Sequence, residues 1–421
     1  MRQNLLSTTT RVQVPAIIVK IGEYEFGLYE KTKTNVLVNE KYYSALRVTY
    51  PNYMQSLSVK KVNGTLNNYT LTLVYPITQN DDPNLIERIL SSTSKSRKIV
   101  FTYGDCALPA FMYRQEEALI TKVTSQLDIA SSRITYTINA VSAAAGLNAG
   151  VRTFEYYASK KPSDRIKELL RDKTSGLQDI FYGMHNYEQV LSLGLIPGDD
   201  REVEIPKKSG VTVLQYLEYL VGCMSNTDDS NTSQSKTYRY VLTMHDDTRG
   251  ILDGPYFKIS SVISNIQEDS SIDIYEVDIG YPNKDIVIGF SIDDNESYSL
   301  LYDYSKQLRR ADYVYRVGDD GNVEAIYSPA LSNSPKTLET TAYDKTWWSQ
   351  MTQYPIKATL TIKGLLRAAI LMSYLRVNVY FYGRKHISSG VYVITQQVDN
   401  ISTSGYSTTL SLVRIQGDDK L

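Results

Sequence analysis

Three histidines, His185, His245 and His386, and two cysteines, Cys106 and Cys223, are the residues of this 421-residue chain best suited to metal or nucleophilic chemistry. Their spacing argues against both. No two histidines stand at i,i+3 or i,i+4, and neither cysteine belongs to a C-x-x-C unit, so a zinc site has little support. The run Tyr103-Gly104-Asp105-Cys106 places a thiol after a strand, where a half-buried cysteine is a simpler reading than a nucleophile. Met244-His245-Asp246-Asp247 sets an imidazole beside two carboxylates. A polar turn ending a strand explains it better than a base held by orienting acids. "VGDDGNVE" (317–324) lacks the spaced acidic ligands and terminal Glu of a calcium loop and suits a tight turn. Neither glycine-rich nucleotide cradle occurs. The expectation is therefore no catalytic residue, no metal ligand and no cofactor.

The elements that would have to position any site read as mostly strand. Tyrosine is abundant, 35 against 8 Phe and 2 Trp. That fits a β-rich chain, since Tyr favours strands, and it also fits extensive subunit contact, since interfaces favour Tyr. Charge is balanced, 45 basic against 46 acidic residues, so the overall field recruits neither nucleic acid nor an anionic membrane. The basic runs 95–98 and 308–310 read as solvated faces, with a wall beside passing DNA as the alternative. Two cysteines make no disulfide framework, which fits folding in a reducing compartment. No secretory signal and no run of 18 apolar residues is visible, so the chain is expected to be soluble and free of membranes.

Three blocks follow one another. Residues 1–148 alternate as strands around one helix, in which Asp82 caps, Pro83 opens and Leu85, Ile86, Ile89 and Leu90 form an apolar stripe. Residues 149–270 form a small α+β unit. Ile166, Leu169 and Leu170 share one helical face, and Val213, Leu214, Leu217, Leu220 and Val221 share another after a Thr212/Gln215 capping box. A polar run, 225–237, reads as an exposed loop, followed by a hairpin. Residues 271–421 return to strands, interrupted at about 305–355 by a long insertion. Its weakly patterned stretch 311–355 reads as a long loop holding the adjacent Trp347 and Trp348. An apolar helix is expected over 365–375.

The first and third blocks share their order: strand, helix, strand ending in Tyr-Gly, hairpin. "YTLTLVYP" parallels "IKATLTIKG", Gly104 parallels Gly383, and Ile120-Thr121 parallels Ile394-Thr395. Fourteen residues beyond each Ile the last strand begins, matching Tyr136 and Ile138 to Leu410 and Leu412 with the face alternation in phase.

The end of the chain then resembles a known family. "GVYVITQQVDNISTSGYSTTLSLVR", with Gly390-Val391-Tyr392 and the run Ser404 to Arg414, is similar to the close of baseplate hub proteins of tailed bacteriophages, relatives of the type VI secretion spike hub. The helix "VTVLQYLEYLVG" is also similar to one in that family's second domain. The resemblance implies a mainly β fold with an α+β insertion: two tail-tube-like β-barrel domains, each with one helix, separated by a small α+β domain. It further implies a non-enzymatic homotrimer forming a pseudo-hexameric ring in the virion tail, made in the host cytoplasm. Expected partners are the tail tube protein, a tail tip, spike or needle protein and the tape measure protein, with DNA as transient lumen cargo. The alternatives are a host-surface module binding carbohydrate through Tyr-lined faces, and a tail-associated peptidoglycan hydrolase, for which no catalytic constellation is visible.

Overall fold

The structure, a computed structural model, describes residues 2–4, 15–22, 24–28, 50–51, 53–78, 82–92, 97–105, 114–172, 193–224, 238–247, 255–263, 274–280, 287–294, 313–317, 323–327, 356–364, 371–386, 388–402 and 404–417. Cys106, His185, Trp347, Trp348, the polar run 225–237, the basic run 308–310 and most of 311–355 lie outside them.

The first block opens with β1 (Arg2–Asn4), β2 (Pro15–Ile21), β3 (Tyr24–Leu28), β4 (Tyr50–Pro51), β5 (Met54–Val62) and β6 (Asn68–Pro76). Helix α1 (Leu85–Ser92), β7 (Lys98–Asp105), β8 (Arg114–Asp128) and β9 (Arg133–Ser142) complete it. The middle block holds β10 (Arg152–Phe154), β11 (Tyr157–Lys160), α2 (Pro162–Arg171), β12 (Val203–Ile205) and β13 (Lys208–Val211). It ends with α3 (Val213–Cys223), β14 (Tyr238–His245) and β15 (Tyr256–Ile263). The third block runs through β16 (Ile274–Ile279), β17 (Val287–Asp294), β18 (Tyr313–Val317), β19 (Val323–Tyr327) and β20 (Ile356–Lys363). Then come β21 (Tyr374–Phe381), β22 (Arg384–Lys385), β23 (Gly390–Ser402) and β24 (Gly405–Gly417). The protein is mainly β, and among the described residues no helix is long and apolar enough to cross a membrane.

Local patterning explains the elements. On β6 and β9 the alternation buries Tyr69, Leu71, Leu73 and Tyr75, and Ile134, Tyr136, Ile138 and Ala140, while the intervening residues face away. Helix α1 buries Ile86 and Ile89 but begins only at Leu85, so Asp82, whose side chain accepts from the Asn84 amide at 3.0 Å, and Pro83 form the turn before it rather than its cap and first position. Helix α3 begins with the expected reciprocal box: Thr212 accepts from the Gln215 amide while Gln215 accepts from the Thr212 amide. In the middle block, β10 pairs with β13 and β11 with β12, short strands without a visible sequence signal.

Sixteen strands form one continuous sheet, in which β1 adds to β16 at the third block's edge. Besides a small one at Tyr374, Val391 and Val393, three apolar clusters are buried among the described residues. One gathers β2 to β9 with α1, one fills the middle block around α2 and α3, and one gathers β16, β20, β21, β23 and β24.

The ladders of the outer blocks run in the same order, β5-β6-β9-β8-β7 and β17-β20-β24-β23-β21. Their irregularities coincide too. β5 shifts register between Met54 and Ser56 and β17 between Val287 and Gly289, whereas β8 shifts between Ile120 and Lys122 and β23 between Ile394 and Gln396. The Ile-Thr match of the sequence thus marks a shared bulge. Two other matches shift. Ile138 and Ala140, rather than Tyr136 and Ile138, stand where Leu410 and Leu412 stand, because four residues separate β8 from β9 and two separate β23 from β24. Gly104 does not correspond to Gly383, since the ladders align Phe101 with Val377.

Two further expectations change. The stretch 311–355 contains the antiparallel pair β18–β19, from Tyr313 opposite Tyr327 to Val317 opposite Val323. The helix expected over 365–375 does not reach its end: Leu371 and Met372 form a turn and Tyr374 already pairs with β16 and β23, while 365–370 lie outside the described residues.

Candidate assembly site: one hairpin seated, its counterpart open

Hairpin β23–β24 is long because its strands belong to two ladders in succession. The first half of β23 pairs with β21 over Gly390 to Val393. Beyond the bulge its second half leaves that strand and pairs antiparallel with β5 of the first block, from Gln396 opposite Val62 to Ser402 opposite Ser56. One face of this segment, Gln397, Asp399 and Ile401, is buried, and Ile401 and Tyr406 join the first block's core. A buried aliphatic side chain such as Ile401 contributes about 1.5–3 kcal/mol.

Under that face lies a sealed set of charges. Arg114 donates to Asp399 at 2.9 Å and to the Tyr406 hydroxyl at 3.2 Å, and its guanidinium sits over the Tyr103 ring. Asp399 also accepts from Thr408 at 2.7 Å and from Gln397 at 2.8 Å. Glu116 accepts from Lys61 and from Tyr69 and Tyr103, the two phenols both at 2.8 Å. Lys61, Arg114, Glu116 and Asp399 are each at most 2% exposed. Buried charges persist only when paired, and removing one partner strands the other.

The middle block closes the set. Asp246 accepts from Asn67 at 2.8 Å, from Tyr69 at 3.0 Å and from Ser142. Backbone bonds run from Gly64 to Leu242 and from Glu117 to Asp246. Burial would raise the Glu116 carboxyl, but Lys61 and Arg114 outweigh it and hold the group at about 2. Asp246 has no such cation in contact, and burial lifts it to about 6. Burial also raises the phenols of Tyr69, Tyr103 and Tyr406.

The sequence candidates fall elsewhere or apart. His245 stacks on Tyr256 and meets the Thr243 hydroxyl at 3.0 Å, and burial lowers it to about 3, so it and Asp246 do not form a base and its orienting acid. His386 meets Ser388 at 2.8 Å. Cys223 is buried, and burial pushes its thiol up to about 12. Among the described residues no three His, Cys, Asp or Glu side chains gather as a metal ion would require. Sequence reasoning missed Lys61, Arg114, Glu116 and Asp399. Their signal was present: each carries charge at an alternation phase whose neighbours, Val59, Ala118 or Ile401, are apolar.

Hairpin β8–β9 is the counterpart, and it is open. β8 pairs with β7 only as far as Leu119, and among the described residues no strand pairs with the outer edge of 121–128. By the shared bulge, Val123, Ser125 and Leu127 stand where Gln397, Asp399 and Ile401 stand. Val123 is 39% and Leu127 69% exposed, whereas Gln397 and Ile401 are buried. The equivalent of β5, strand β17, is also an edge among the described residues, with Ile292 38% exposed. Open edges of this kind are templates for another strand.

No protein-family model and no curated protein sequence matches the chain. Among solved structures it is similar to a tail protein from Neisseria meningitidis, at 10% identity over 95% of this chain and 97% of that one, with a TM-score of 0.48. A tail protein of prophage MuSo2 from Shewanella oneidensis shares 10% identity over 95% and 98% of the two chains, with a TM-score of 0.47. An E. coli component of the type VI secretion system, described as structurally similar to T4 bacteriophage tail proteins, shares 9% identity over 86% and 73%, with a TM-score of 0.45. The structural neighbours of this chain are thus phage tail proteins and a type VI secretion component.

Proposed function

We propose that this protein is the structural hub of a phage tail, a non-enzymatic homotrimer whose ring joins the tail tube to the tip, spike or needle and keeps a channel for the genome. In this reading residues 1–148 and 271–421 are two tube-like β-barrel units, the second with an insertion at about 305–355. Residues 149–270 are the lateral α+β domain between them, and β1 reaches across to β16. Three chains with two units each make a ring of six similar units, able to face a hexameric tube on one side and a trimeric tip on the other. The tail tube and tape measure proteins would be neighbours, and DNA a passing cargo.

One observation carries the reading. Within the chain, the hairpin of the second unit is seated in the sheet of the first, while the same segment of the first unit's hairpin stands open. A chain built this way has one satisfied joint and one unsatisfied joint, and repetition closes the set. The resemblance of residues 388–415 to hub proteins points the same way.

Light scattering behind a sizing column tests it. The expected mass is three times 47.6 kDa, with ring-shaped particles of sixfold appearance by negative stain. A monomer at every concentration overturns it, and one that also binds bacterial glycans favours a host-surface binding module.

A further inference from the structure

The two hairpins carry unlike side chains on their docking faces, and the two seats differ in the same sense. The seated face presents Gln397, Asp399 and Ile401. Its seat presents Leu57, Val59 and Lys61 on β5, backed by Arg114 and Glu116. The open face presents Val123, Ser125 and Leu127, with no charge among them.

The second seat follows from the ladders. Leu57 lies opposite Leu71 on β6, and Leu71 opposite Ile138 on β9. In the third block Phe290 lies opposite Leu360, and Leu360 opposite Leu410. Phe290 therefore occupies the place of Leu57, Ile292 that of Val59 and Asp294 that of Lys61. Counting from the shared Ile of β8 and β23, Gly390 takes the place of Glu116, and β23 begins there, so no strand residue of the second unit stands where Arg114 does. The second seat has neither the arginine nor the lysine of the first.

Resting on the ring reading above, we infer that the open face of β8 seats antiparallel on β17 of a second copy of this chain. Leu127 then lies opposite Phe290 and Ser125 opposite Ile292, and the Arg114–Asp399 pair reserves the other seat for the chain's own hairpin. Each wrong pairing leaves a charge unmatched. The open face on the first seat strands Arg114 without Asp399. The Asp399 face on the second seat buries a carboxylate without the Arg114 guanidinium that pairs with it at the first. Such penalties against the wrong partner set specificity as much as the correct contacts do. The two seats impose strict alternation of first and second units around the ring and exclude rings of first units alone.

The test uses a contact already present at the seated joint, where the Ser58 hydroxyl meets the Asn400 side chain at 2.8 Å. The corresponding positions at the open joint are Gln126 and Ser291, both exposed. The full chain carrying Gln126→Cys and Ser291→Cys, with Cys106→Ser, is oxidised mildly and run on a non-reducing gel. The expected result is disulfide-linked dimers and trimers, at least tenfold more than from a chain carrying Gln126→Cys and Ser58→Cys. Adding Ser125→Asp should abolish the link while the urea unfolding midpoint of the dilute, dissociated monomer stays unchanged. Equal or greater linking through Ser58 overturns the assignment of seats. A trimer by light scattering with no link through Ser291 overturns the inference and leaves the ring reading standing. A monomer at every concentration overturns both.

Discussion

The guanidinium of Arg114 on β8 and the carboxylate of Asp399 on β23 meet at 2.9 Å across 285 residues of chain, both sealed from solvent. This pair joins the first and third blocks at the point where β23 changes partners. Breaking it from one side leaves a buried charge alone. Arg114→Leu or Asp399→Leu should each cost about 3–5 kcal/mol, read on the earliest urea transition. The double variant should cost clearly less than the sum, since it leaves neither charge behind. Strict additivity, or single losses below about 1 kcal/mol, would contradict the junction as described.

Gly364, at the end of β20, has the Tyr406 ring against its backbone, and its amide donates to the Tyr406 carbonyl at 2.8 Å. A Cβ at Gly364 would lie 2.2 Å from the ring. The ring belongs to the first block's core and its hydroxyl accepts a hydrogen bond from Arg114, so it cannot swing aside without losing both. Gly364→Ala should destabilise by about 1–3 kcal/mol and shift the same transition as Asp399→Leu. An unchanged midpoint would show that the hairpin tip is loosely held.

Acid–base behaviour separates Asp246 from Glu116. The folded protein holds the Asp246 proton more tightly than an unfolded chain does, about 6 against 3.8. Its contribution to stability is therefore largest below about pH 4 and declines as pH rises through about 6, by about 1.4 kcal/mol for each pH unit between those two values. Glu116 is the reverse: held at about 2, it contributes fully above its ordinary value of 4.5 and loses that contribution as pH falls toward 2. In Asp246→Asn the decline between pH 4 and 6 should vanish, so the stability difference between variant and parent changes by about 3 kcal/mol across that window. A difference independent of pH would mean that burial does not hold the Asp246 proton as the geometry has it.

Ser125 and Leu127 give the cleanest separation of assembly from folding, because both are exposed in the single chain. Under the proposed ring, Leu127→Asp should weaken the trimer at least tenfold in a dilution series while leaving the far-UV spectrum and melting temperature of the monomer unchanged. A loss of monomer stability of the same size would place Leu127 in the chain's own core instead.

Much of this architecture was legible from residues alone because the signals are local. Alternation marked β6 and β9 and the Thr212/Gln215 box began α3, whereas Asp82 and Pro83 stand in the turn just before α1. The repeat was legible for the same reason, since Ile-Thr stands at an equivalent bulge in both hairpins. Its exact register was not, because a turn of four residues against one of two is a backbone choice that alternation does not encode.

The sequence by itself determined the strand-rich character and the helices α1 to α3, set by spacing within a few residues. It could not determine where the second half of β23 goes. That segment has the same alternation whether it stays beside β21 or crosses to β5, and only the closing of the two outer blocks against each other decides. The same holds for the charges: Lys61, Arg114, Glu116 and Asp399 read singly as ordinary polar strand residues. Tertiary structure makes them a neutralised cluster, because burying any one is tolerable only where the fold delivers its partner. It also leaves Val123 and Leu127 uncovered on a strand whose twin is covered, which is the feature that points beyond the single chain.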